Sequence, residues 1–67
     1  MKEPHDLDAE RCVLGALMLR PEGYLEVRDR VSVEDFFRHE HGLVYRAMGT
    51  LYQKRVPIDL MTVKDVL

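Results

Sequence analysis

The sequence predicts an all-α fold, a small compact bundle of about four helices with the last one truncated. Three observations predict it. Apolar residues recur at helical spacing from Leu7 to Met18 and again from His41 to Leu51. Residues that start or stop helices bound these stretches, among them Asp6, Pro21, Ser32, Pro57 and Asp59. No stretch alternates polar and apolar residues as a half-buried strand would.

The lead-in "KEPHD" reads as extended, because Pro4 disfavours helix before it and Asp6 is a good N-cap. The first helix is predicted over 7–19, with Leu7, Leu14, Leu17 and Met18 on one face and Asp8, Arg11 and Cys12 away from its centre. Asp8 and Glu10 occupy the first turn, where the helix dipole favours negative charge. Arg20 and then Pro21 end it. A short second helix opens at Pro21. There Tyr24, Val27 and Val31 share a side, and Glu26 and Arg30 form an i,i+4 pair. In "SVED", Ser32 and Asp35 resemble a capping box that starts one turn carrying Phe36 and Phe37. The third helix is predicted over about 39–53, with His41, Val44, Met48 and Leu51 in a stripe and Tyr45 and Tyr52 beside it. Val56, before Pro57, leaves the helical region. A fourth helix begins in "DLMTVKDVL", capped by Asp59 or by Thr62, which has Asp65 three residues on.

The run "VLGALML", Val13 to Leu19, makes the second half of the first helix apolar on every side, the pattern of an enclosed helix. Gly15 within it costs about 1 kcal/mol relative to alanine, which predicts close helix packing at that backbone. The cover comes either from the other three helices or from another chain or segment.

With 67 residues and a net charge of -2, the chain is one small domain or part of one. Mild acidity gives no electrostatic reason to expect nucleic acid or an anionic membrane as its main partner. Cys12 is the only cysteine, so no internal disulfide forms, and a reducing cytoplasmic setting is the simplest expectation. The charged N-terminus does not resemble a signal peptide, and no apolar run approaches the roughly 20 residues of a membrane span.

Catalytic signatures such as a phosphate-binding loop, a nucleophile elbow or a zinc-protease helix are absent from the sequence. His39 and His41 form an H-x-H pair, but on a helix they point about 200° apart and cannot chelate together. His41 is expected to be hydrogen-bonded internally on the core face, and His39 to be a surface residue. Asp8, Glu10, Glu26, Asp29, Glu34 and Asp35 are expected near helix starts or on solvated faces. Acidic neighbours of Cys12 do not favour a thiolate. Arg38, Arg46, Lys54 and Arg55 make the third helix basic, but they drift around it instead of forming a stripe. The residues therefore predict a helical interaction module with no catalytic, cofactor or metal residues.

In order, "PHDLDAERCVLGALML", "VSVEDFFRHEHGLVYRAM" and "PIDLMTV" resemble the N-terminal domain of bacterial replicative DNA helicases of the DnaB family. The family's pattern is matched by Pro4, His5, Ala9, Glu10, Val13, Leu14 and Gly15, by Asp35 and Phe36, by His41, and by Pro57, Ile58 and Asp59. The resemblance runs from Pro4 to Val63. It implies that residues 1–67 are part of an all-helical collar domain of a homohexameric, ATP-dependent helicase, and that the parent uses ATP and Mg. The ATPase domain and its phosphate loop lie outside this sequence, so no nucleotide site is carried over. Single-stranded DNA would be contacted mainly by that missing domain. The resemblance also implies self-association, docking of primase and in some systems a helicase loader, and cover for Gly15 from later helices or neighbouring subunits. Tyr24, Leu25 and Leu43 are the expected partner-binding residues, as apolar side chains left over once the core closes. Two other readings remain open: a free-standing adaptor of the replication machinery without a motor, and a helix-turn-helix DNA-binding domain.

Overall fold

The computed structural model describes residues 7–67, so the extended lead-in through Pro4 and His5 and the Asp6 cap lie outside the described residues. Helix α1 spans Leu7–Leu19, as its apolar spacing predicts. A 3-10 turn over Pro21–Gly23 leads into α2, Tyr24–Arg28. The expected second helix is thus shorter than its sequence stretch. Arg30 lies beyond its end, which leaves the Glu26–Arg30 pair no helix to sit on. A second 3-10 turn, Val33–Asp35, precedes α3, His39–Gln53, and α4 follows at Leu60–Val66.

The turns are set by local chemistry. Asp35 Oδ2 accepts the Ser32 amide at 2.9 Å, which closes the predicted SVED capping arrangement. At α4, Asp59 Oδ1 accepts the Thr62 amide at 2.9 Å while Thr62 Oγ1 accepts the Asp59 amide at 3.0 Å. Asp59 is therefore the cap, and Thr62 is its reciprocal partner in the first turn. The end of α3 is a Schellman motif: the Val56 amide donates to Leu51 O at 3.0 Å and the Arg55 amide to Tyr52 O at 3.1 Å. Arg55 holds the left-handed position of that motif at φ 60°.

The core is built on α3. Tyr45, Ala47, Met48 and Leu51 are buried there, against Leu14 and Leu17 of α1, Phe36, Ile58 and Val63 of α4. Tyr45 is admitted because its hydroxyl donates to Val31 O at 2.7 Å. Burial pushes the Tyr45 phenol up to about 12, with Tyr24 and Asp35 adding to the shift. The Tyr24 ring lies 5.7 Å from that of Tyr45 and 5.2 Å from that of Tyr52, which docks α2 on α3. Of the two phenylalanines, Phe36 enters the core and Phe37 stays 54% exposed. The radius of gyration, 10.9 Å, is what close packing of a chain this long gives, about 11 Å.

Of the two covers expected for α1, the structure bears on the one supplied by the chain's own helices. Within the described residues α1 is not enclosed on every side: Cys12, Gly15, Ala16 and Leu19 are exposed, and Leu19 is 85% exposed. A Cβ built on Gly15 meets nothing within 4 Å, so the chain's own described helices do not press on that backbone. The chain is too short to surround a 13-residue helix after covering α3.

Candidate functional site

Glu10, expected near a helix start or on a solvated face, is the most deeply placed charged group among the described residues, fully buried in the first turns of α1. Its Oε2 accepts the Phe37 amide at 2.5 Å. Its Oε1 accepts the Arg38 amide at 3.3 Å and lies 2.7 Å from His41 Nδ1. An ionised carboxylate only accepts, so Nδ1 carries the proton in this contact. Arg38 is the N-cap residue of α3 and its own side chain makes no capping bond. Glu10, 28 residues away, accepts the amide of Arg38 itself and sets a negative charge at the positive end of the α3 dipole.

Burial alone pushes the Glu10 carboxyl up. The bond from His41 and those from the Phe37 and Arg38 amides outweigh it and hold the carboxyl below its ordinary value of 4.5. The arrangement fastens α1 to the entry of α3, and it is a clasp within the chain. His41 thus meets its expectation of an internal hydrogen bond, while the role of Glu10 was missed. A signal for it was present, since Glu10 stands in register with Leu7, Leu14 and Leu17 on the buried face of α1.

The second feature is open. Cys12, Gly15, Ala16 and Leu19 form an uncovered apolar face of α1. Ala16 also lines a cleft of about 400 Å³ between α1 and α2, together with Val13, Leu17, Gly23 and Val27. Arg20, Glu22 and Glu26 give that cleft its polar lining. Leu60, Met61 and Leu67 add exposed apolar side chains on and after α4.

Of the three residues expected to contact partners, Tyr24 and Leu25 are neighbours on α2 and Leu43 lies on α3. Tyr24 is half-buried, with its ring packed against those of Tyr45 and Tyr52. Leu25 remains 42% exposed on α2. Leu43 is half-buried on α3 and lines a separate cleft with Val33 and Phe36. Arg38, Arg46, Lys54 and Arg55 are exposed, and Arg38 pairs with Glu40 at 3.2 Å. Among the described residues no group of His, Cys, Asp and Glu is placed to hold a metal ion, and no helix is long and apolar enough to cross a membrane.

The described residues thus form an all-helical unit whose buried charge is fully bonded and whose α1 leaves an apolar face open. Comparison with known proteins specifies its family. The chain belongs to the family described as DnaB-like helicase N terminal domain, whose model matches residues 2–67. It is 41% identical over 64 residues to "Replicative DNA helicase DnaB" of Buchnera aphidicola subsp. Baizongia pistaciae, covering 96% of this chain and 14% of that protein. It is 36% identical to the Haemophilus influenzae protein of the same name, with the same coverage of 96% and 14%. "Replicative DNA helicase DnaC" of Bacillus subtilis is also 36% identical, again over 96% of this chain and 14% of the relative. The chain therefore spans about one seventh of the length of these relatives. No solved structure matches it.

Proposed function

We propose that this chain is the collar module of an ATP-dependent replicative DNA helicase, acting in ring assembly and in docking of primase or a helicase loader. The observation that carries the reading is the open face of α1, where Leu19 is 85% exposed beside the cleft lined by Val13, Leu17 and Val27. Burying such a side chain contributes about 1.5–3 kcal/mol, so a covering surface is favoured wherever one is supplied. The module itself contributes shape and contact area. Unwinding, with ATP and Mg, belongs to the motor domain that this reading places elsewhere in the parent, as does most contact with single-stranded DNA. The setting is the cytoplasm, where the fork and its partners are.

The test is the parent helicase carrying Leu19→Glu. Native mass spectrometry reads the ring, and co-purification with primase reads docking. The proposal expects one of the two to fail while the helical circular dichroism of the 67-residue chain is unchanged. Intact rings that capture primase at wild-type level would refute it.

A further inference from the structure

We draw no further inference here: the strongest candidate, the uncovered apolar face of α1 with the cleft it shares with α2, belongs to the surface already proposed for assembly and docking, and nothing in the structure shows what covers it.

Discussion

Glu10 Oε1 and His41 Nδ1 meet at 2.7 Å across 31 residues of sequence, and the same carboxylate holds the Phe37 and Arg38 amides. One buried charge thereby ties the start of α1 to the start of α3. Because its bonds cross between elements, their loss is expected to weaken the whole fold and not one helix.

Glu10→Gln keeps the size and one accepting oxygen but removes the charge, and about 2 kcal/mol of stability is expected to go with it. Glu10→Leu leaves the two amides without their acceptor, at roughly 1–3 kcal/mol for each orphaned donor. A domain of this size has roughly 3–10 kcal/mol in total, so the leucine variant should lose a large share of its stability and more than the glutamine variant. Urea titrations of the two variants and the wild type check the order. Equal midpoints would mean that the clasp contributes nothing.

The pH dependence follows from the depressed Glu10 carboxyl. Its folded value lies below the ordinary 4.5, so the unfolded chain binds the proton more readily. The stabilisation is present above 4.5 and is lost as pH falls through the folded value. Stability measured from neutral pH downward should hold until about that point and then drop. In Glu10→Gln the acid limb should be shallower, since this titration is gone. Parallel limbs in the two proteins would assign acid unfolding to other carboxylates.

Gly49 and Tyr24 make a second pair that only the packed structure exposes. A Cβ at Gly49 would lie 2.5 Å from the Tyr24 hydroxyl but 3.5 Å from its Cζ. Gly49→Ala gains about 1 kcal/mol of helix propensity and still should lower the melting temperature, because the tyrosine is held between two other rings. With Tyr24→Phe in place the same substitution should raise it. A double-mutant cycle by thermal melting reads the reversal directly.

Arg55 occupies the left-handed region at φ 60°, where a side chain is strained by about 1 kcal/mol or more. Arg55→Gly removes that strain within an intact Schellman motif, offset in part by the freer unfolded chain. A gain of about 0.5–1 kcal/mol is expected in chemical denaturation. A loss would mean that the Arg55 side chain makes a stabilising contact that outweighs its backbone strain.

Helix positions were the most legible part of the sequence. Capping and stop residues such as Ser32, Asp59 and Pro21 act within a few neighbours, so 7–19 and 39–53 could be read without tertiary information. Glu10 was misread because its first-turn position suits a solvated acid equally well. What decides its burial is His41 and the Phe37 and Arg38 amides, brought in from 27 to 31 residues away. The packing of Tyr24 depends on tertiary context in the same way, because Tyr45 and Tyr52 meet its ring only once α2 docks on α3. At Gly15 the described residues supply no close approach, since a Cβ there meets nothing within 4 Å.

The most direct measurement is Gly15→Leu, made in both the 67-residue chain and the parent helicase. Nothing lies within 4 Å of a Cβ at this exposed position, and leucine is the better helix former, so the isolated chain should melt at or above the wild-type temperature. In the parent, where the account has this face covered, the same leucine overpacks the contact, and ring assembly or primase capture should fail. Wild-type rings and wild-type primase capture from the variant would contradict the account.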